Sequence, residues 1–232
     1  MGLTDIHCHL LYGVDDGSRD IETSLKMLDR AKEEDIDKIV LTPHFRHGMF
    51  PYELDRIERH FKELKPFARQ KGIDLRLGCE YHVDSDIVSN LESGRIHSLN
   101  DSEYVLTEYS HDTDAGYILE WTGELQSRGY VPIVAHIERY ACMKDHDLLI
   151  RLRNMGAMLQ INADALLGKE GFGTKNFCRK LVKNGLCDIV ASDSHGIEKR
   201  VNHLGEAFRD TEKRFGRETA DRLFSINPSK VF

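Results

Sequence analysis

The 232-residue sequence has no C-x-x-C pair, no glycine-rich phosphate loop and no basic surplus, and each absence removes a class of function. Its five cysteines (Cys8, Cys79, Cys142, Cys178 and Cys187) are odd in number, which argues against a disulfide framework and for a reducing cytoplasm. No arginine stands six residues after any of them; those positions hold Val14, Ser85, Leu148, Asn184 and Asp193, so the C-x₅-R loop of a cysteine-dependent phosphatase is missing. Neither G-x-x-x-x-G-K-[ST] nor G-x-G-x-x-G occurs, and Gly171-Phe172-Gly173 reads as a flexible turn. A formal charge of −7 opposes general nucleic-acid binding, which needs clustered Lys and Arg. No apolar run nears the ~20 residues that span a bilayer, and the N-terminus lacks the basic and apolar regions of a secretory signal, so no membrane insertion is expected.

What is present is alternation. Short β-branched runs occur at Leu3 to His7, Lys38 to His44, Asp74 to Glu80, Glu103 to Glu108, Tyr130 to His136, Ala157 to Asn162 and Cys187 to Asp193. Several are nearly continuous apolar stretches, the pattern of parallel strands covered on both faces. Between them lie helical stripes. Asp20 is placed to cap a helix carrying Ile21, Leu25, Leu28 and Ala31; Leu54, Ile57, Phe61 and Leu64 form another, with Pro66 expected to kink or break it. Further helices are expected from Ala115 to Arg128, Asp147 to Met155, Phe177 to Asn184 and, around Gly216, from His203 to Phe224; Asp84 to Leu99 is the least regular segment. Strands alternating with helices mean parallel βαβ units, closed into a barrel or opened into a doubly wound sheet. With no linker or repeat, residues 1–232 read as a single domain.

The chemistry is concentrated where the strands end. His7 (with His9 beyond it), His44, Glu80, Glu108 and His136 each finish a run, and the last finishes on Asp193 with His195 two residues later. Only the run ending at Asn162 lacks such a residue. In α/β barrels the C-terminal strand ends converge on one face, so residues as distant as His9 and His195 can meet there. Imidazoles mixed with carboxylates suit Mn²⁺, Fe²⁺ or Zn²⁺, and carboxylates can bridge ions, so a multinuclear hydrolytic centre is expected. Singly, each element has an ordinary explanation: Asp193-Ser194-His195 as a helix cap with a surface histidine, Asp15-Asp16-Gly17 as a turn, Glu80 and Glu108 as solvated residues. The joint pattern favours a site. His47, His60, His97, His111, His146 and His203 end none of these runs and are read as structural or surface residues.

Asp5-Ile6-His7-Cys8-His9, Asp15-Asp16-Gly17, Thr42-Pro43-His44, Gly78-Cys79-Glu80, His136-Ile137-Glu138-Arg139-Tyr140 and Ser192-Asp193-Ser194-His195 together resemble the PHP (polymerase and histidinol phosphatase) superfamily. The chain is most similar to its bacterial protein-tyrosine phosphatases, which accompany tyrosine kinases in capsule and exopolysaccharide synthesis. The resemblance implies an α/β fold, a distorted (β/α)₇ TIM-like barrel, and three divalent metal ions, often manganese, with iron or zinc as alternatives. By motif, His7, His9, Glu80 and Asp193 would hold one ion. Glu80 would bridge to a second held by Glu108 and His136, and Asp16, His44 and His195 would hold the third, with Asp15 the neighbour most easily confused with Asp16. Arg139 and Arg200 would grip phosphate, and Asp193 and His195 join them as catalytic candidates. The implied reaction is hydrolysis of phosphotyrosine on a protein, a bacterial tyrosine kinase in particular, by a metal-activated hydroxide. Rival readings are a small-molecule phosphatase such as a histidinol-phosphate hydrolase, a metal-dependent amidohydrolase, and a degenerate barrel used for binding. The segment from Phe45 to Tyr52 is placed to line the mouth. One departure is Ile137, where the family often has proline.

Overall fold

A computed structural model describes residues 2–232. Nine strand segments, β1 (Leu3–Cys8), β2 (Ile36–Leu41), β3 (His44–Phe45), β4 (Asp74–Leu77), β5 (Glu80–His82), β6 (Tyr104–Glu108), β7 (Val131–Val134), β8 (Met158–Asn162) and β9 (Ile189–Ala191), occupy seven positions. Two of the seven expected strands are broken in two, at Thr42-Pro43 and at Gly78-Cys79. Proline donates no hydrogen bond to a ladder, and a Cβ on Gly78 would lie 2.7 Å from Leu99 Cδ2; the ladder is interrupted at both places but keeps its register, Leu41 pairing with Leu77 before the break and His44 with Glu80 after it. The segments run in the orders β1-β2-β4 and β3-β5-β6-β7-β8-β9, and every pairing is parallel. A parallel bridge between Cys8 and Ser194 joins the β9 side back to β1. The result is a curled, mostly closed parallel sheet, in line with the expected distorted barrel.

Helices α1 (Ile21–Glu33), α2 (Leu54–Gln70), α3 (Ile87–Glu92), α4 (Ala115–Ser127), α5 (His146–Asn154), α6 (Ala163–Leu167), α7 (Phe172–Lys183), α8 (Leu204–Phe215) and α9 (Arg217–Asp221) surround it. Asp20 caps α1, accepting from the Thr23 N–H at 2.8 Å, and Met27, Leu28 and Ala31 are buried on one face. The α4 stripe of Ile118, Thr122 and Leu125 is buried, and the helix stops before Gly129, whose φ of 84° only glycine adopts cheaply.

Three expectations are corrected. Pro66 does not break α2; it is exposed, so the carbonyl it leaves unbonded can meet water, while Ile57, Leu64 and Ala68 hold the helix down on both sides of it. Phe172 and Gly173 open α7 instead of forming a turn. The short helix α6, directly after β8, is not visible as a period because it spans little more than one turn.

Two apolar cores result. A small one inside the barrel gathers Ile6, Val40, Leu106, Ile133, Ile189 and Ala191, closed at one end by Leu99 and Val231; the larger one lies between strands and helices. The interior is therefore packed, and polar groups are displaced to the rim beyond the strand ends. Leu99→Ala is expected to cost about 2–5 kcal/mol, read as a lower urea midpoint with an unchanged slope; a loss well under 1 kcal/mol would show that Leu99 is not an interior plug.

Candidate metal centre

The side chains expected from strand ends meet at one end of the barrel. His7 leaves β1 where its register with β2 shifts between Asp5 and Cys8, an irregularity of the kind that re-aims side chains. Its Nδ1 lies 3.2 Å from Gln160 Oε1, an oxygen that also accepts the His136 N–H at 2.9 Å. His9 Nδ1 is 2.8 Å from Asp15 Oδ2. Each of these outer contacts is to an acceptor, so Nδ1 carries a proton and Nε2 faces inward, the atom from which a metal ion would displace a proton. The two Nε2 atoms face each other at 3.2 Å. Glu80 Oε2 stands 3.1 Å from both, and Asp193 Oδ1 is 3.3 and 3.6 Å away.

Such a grouping of lone pairs and anionic oxygens repels itself unless something positive sits among them. Glu80 Oε2, His44 Nδ1, Glu108 Oε2 and His195 Nε2 are buried without a hydrogen-bond partner, and Asp193 Oδ1, though ion-paired with Arg200, has no well-aligned hydrogen bond. Buried polar atoms are almost always satisfied, so four orphaned ligand atoms at one spot, beside Asp193 Oδ1, fit bound cations. Three groups have ligand atoms within 4.8 Å of one another: His7, His9, Glu80 and Asp193; His9, Asp16, His44 and His195; and His44, Glu80 and Glu108.

All nine expected ligands are thus drawn to one place, with two differences of grouping. His44 Nδ1 approaches Glu80 Oε2 at 3.1 Å and joins Glu108, while His136 Nε2 is turned to Glu80 Oε1 at 2.8 Å and is 3.7 Å from Glu108. His9 stands in two groups. Asp16 Oδ1 lies 3.5 Å from His44 Nε2 and 3.4 Å from His195 Nε2, whereas Asp15 points the other way: it takes the His44 N–H at 3.0 Å and the Gly17 N–H at 2.9 Å as well as His9. The two neighbouring aspartates have different jobs.

The electrostatics stem from this packing. Burial alone would raise the carboxyls of Glu80 and Asp193, but His7 and His44 hold Glu80 well below the usual range, and His7, Arg139 and Arg200 do the same for Asp193. Burial pushes His44 down to about 4 and also lowers His136 and His195, leaving their imidazoles neutral. For His9, burial is outweighed by Asp15 and Glu80, which push it up to about 10. That pull is the attraction of anionic oxygen for any cation, proton or metal. Burial, reinforced by Glu80, pushes Glu108 up to about 8.

Arg139 and Arg200 both reach Asp193, at 3.1 and 2.7 Å. They help line a cavity of about 200 Å³ with Asp16, His44, Glu80, Glu108 and His136. Met49 and Phe50 stand on its rim, as expected for the segment after β3, and the Phe50 ring stacks on His44 at 5.1 Å. The histidines set aside in the sequence take no part: His60 hydrogen-bonds the Tyr12 carbonyl, His97 pairs with Asp101, and His203 pairs with Asp164.

Sequence reasoning missed three contributors. Gln160 orients His7 and the His136 backbone; Asn162 donates to Asp193 Oδ2 at 2.7 Å; and the Tyr140 hydroxyl meets His136 Nδ1 at 3.1 Å. Arg46, within the segment expected at the mouth, lines the cavity as well. Gln160 and Asn162 carried a usable signal, since two amides near the end of an otherwise apolar strand must be buried against something polar.

The family model for capsular polysaccharide synthesis proteins CpsB/CapC matches residues 3–232. Tyrosine-protein phosphatase YwqE of Bacillus subtilis (strain 168) is 33% identical over 219 residues, covering 93% of this chain and 86% of that protein. Tyrosine-protein phosphatase CpsB of Streptococcus pneumoniae is 32% identical over 237 residues, covering 99% and 98%. Among solved structures, the crystal structures of YwqE and CpsB, described as unique metal-dependent tyrosine phosphatases, include a chain that superposes with a TM-score of 0.89 at 32% identity, covering 99% of this chain and 94% of that one. The chain belongs to the CpsB/CapC family of capsular polysaccharide synthesis.

Proposed function

We propose that this chain is a metal-dependent protein-tyrosine phosphatase, acting as one domain on the phosphorylated tail of a bacterial tyrosine kinase in the cytoplasm. The observation that carries the reading is the cluster of buried, unpartnered ligand atoms beside two convergent arginines. The tyrosine-phosphatase relatives that align over nearly the whole chain support it. His7, His9, Glu80 and Asp193 would hold one ion, Glu108 and His136 a second shared through Glu80, and Asp16, His44 and His195 a third. Mn²⁺ leads as the occupant, with Fe²⁺ or Zn²⁺ also suited to this mixture of imidazole and carboxylate. Bound there, the ions supply Lewis acidity, lowering the pKa of water and drawing charge from phosphoryl oxygens.

The chain's own residues do the rest. A guanidinium has five donors, and Asp193 occupies only part of each of Arg139 and Arg200, leaving donors to grip phosphate oxygens. Asp193 fixes both arginines, and His195, between Asp16 and Asp193, holds the edge of the cluster nearest Arg200. No cysteine competes as nucleophile: burial pushes the thiols of Cys8, Cys79 and Cys187 up, away from the reactive thiolate. The phenolate leaving group, with a reference pKa near ~10, needs less protonation than an alkoxide would. Beside the cavity a groove of about 510 Å³ shares Asp16 and Arg200 and continues over Arg19, Ile197 and Lys199, room for residues flanking a phosphotyrosine and more than a small metabolite requires. All five cysteines are free, and no described helix is long and apolar enough to cross a membrane, which supports placing the chain in the cytoplasm.

With Mn²⁺ the protein is expected to hydrolyse a phosphotyrosine peptide in preference to histidinol phosphate, and chelator is expected to abolish the activity; preference for histidinol phosphate would move the chain to metabolite hydrolysis. Mn²⁺ at a hundred times its Kd should stabilise the fold by about 2.7 kcal/mol, a rise of about 5–10 °C in Tm for a chain this size. An unchanged Tm with metal added would contradict a folded-state metal site. Asp15→Asn, which removes the charge behind His9 while keeping an acceptor, should weaken metal binding on the order of 10–100-fold by titration calorimetry, with the circular dichroism spectrum retained. Arg139→Ala should raise KM for the peptide on the order of tenfold or more, and wild-type kinetics would rule out its role at the phosphate.

A further inference from the structure

Arg139 and Arg200 both approach the cavity from the side of Asp193. Arg139 comes after β7 and Arg200 after β9. The cavity is also lined from β3, which ends at Phe45, and the next residue is Arg46. Its backbone is tightly held: the Arg46 N–H donates to the Phe50 carbonyl at 3.1 Å, and its own carbonyl accepts from Met49 and Phe50 at 3.0 and 2.9 Å. Stacking of Phe50 on His44 anchors the same turn against the ligand cluster. The half-buried Arg46 therefore lines the cavity with Glu80, Glu108 and His136 from a rigid turn, not from a long mobile loop.

The bland account of such an arginine is that it neutralises Glu108, whose carboxylate its charge stabilises. The geometry opposes that. The basic groups nearest Glu108 are the neutral imidazoles of His44 and His136, at 3.8 and 3.7 Å, and Arg46 does not come within ion-pair distance of Glu108, forming neither an ion pair nor a side-chain hydrogen bond with any described residue. Arg139, by contrast, is shared between Asp193 and Glu170, and Arg200 is bonded to Asp193. A guanidinium in a confined site with all its donors uncommitted is the group best able to bind an incoming dianion. A phosphoryl group presents three non-bridging oxygens, so it can accept from a third arginine in the same cavity.

We infer that Arg46 is a third phosphate-binding arginine, which grips the phosphoryl group from the β3 side of the cavity that Arg139 and Arg200 also line. This rests on the phosphatase reading and adds a substrate-binding residue to it.

The test uses the full chain loaded with Mn²⁺, with inorganic phosphate as the probe. Arg46→Ala should raise the calorimetric Kd for phosphate on the order of tenfold or more, the loss of a charge-assisted contact. Arg46→Lys should recover part of that loss. KM for a phosphotyrosine peptide should rise in parallel, while bound Mn²⁺, measured by elemental analysis, stays at the wild-type ratio. A phosphate Kd within twofold of wild type, with the wild type active, would overturn the assignment of Arg46 and leave the phosphatase reading standing. Loss of bound Mn²⁺ in both variants would also overturn it, by making Arg46 a support of the metal cluster. A loaded wild type that neither binds phosphate nor hydrolyses the peptide would bring down the phosphatase reading, and the role of Arg46 with it.

Discussion

Two buried carboxylates, Glu80 and Asp193, set the terms for everything around them. Each turns an oxygen without a well-aligned hydrogen bond into the space between His7 and His9, and each is almost wholly withdrawn from water. An ionised carboxylate in such a place costs several kcal/mol unless positive charge and good geometry repay it. His7 and His44 near Glu80, and Arg139 and Arg200 on Asp193, supply part of the compensation, and the ligand geometry leaves the remainder to cations. The rest of the site is scaffolding for this arrangement. Asp15 and Gln160 hold the outer nitrogens of His9 and His7, and Asn162 takes the second oxygen of Asp193.

The backbone bears some of the cost. His136, Asp193 and Arg200 have φ values of 33°, 51° and 48°, a region that side chains other than glycine avoid. Residues in such conformations persist when their surroundings over-determine them. The Asp193 N–H is tied to the His7 carbonyl at 2.8 Å, the His136 N–H to Gln160, and the His195 N–H to the Arg200 carbonyl at 2.9 Å. These bonds run between β1, β7, β8 and the segment after β9, so closure of the barrel and shaping of the site are one event. The packed interior of Ile6, Val40, Leu106, Ile133 and Ile189 beneath the rim gives those strand ends a fixed spacing.

The division of labour between Asp15 and Asp16 shows how such a site uses adjacent residues. Asp15 is buried and accepts three hydrogen bonds that lock His9 and the backbone of His44, while Asp16 remains half-exposed and faces His44 and His195. A turn lets consecutive side chains point in opposite directions, so one can organise the ligands and the other can join them. Arg46 and Phe50 make a similar pair across their short turn, one facing the cavity and the other packed on a ligand.

Much of this was legible in the sequence because it depends on local patterns. Seven apolar runs alternating with helical stripes give parallel βαβ units, since strand and helix periods are read within a few residues; that they close into a barrel was implied by the family resemblance. The identity of the groups at the run ends names the chemistry. Single breaker residues were harder to read: Pro66 passes through α2 because Leu64 and Ala68, two residues to either side, are buried, and Gly171-Phe172-Gly173 runs into α7 because the residues after it form a helix face. What only the tertiary structure decided is which atoms face one another. His44 joins Glu80 and Glu108, Gln160 and Asn162 serve the ligands, and Arg46 stands uncommitted because of the register of β3 against β5 and the bridge between Arg46 and Phe50. Residue type is written in the sequence; convergence across strands more than a hundred residues apart is set by register and closure, which no local period encodes.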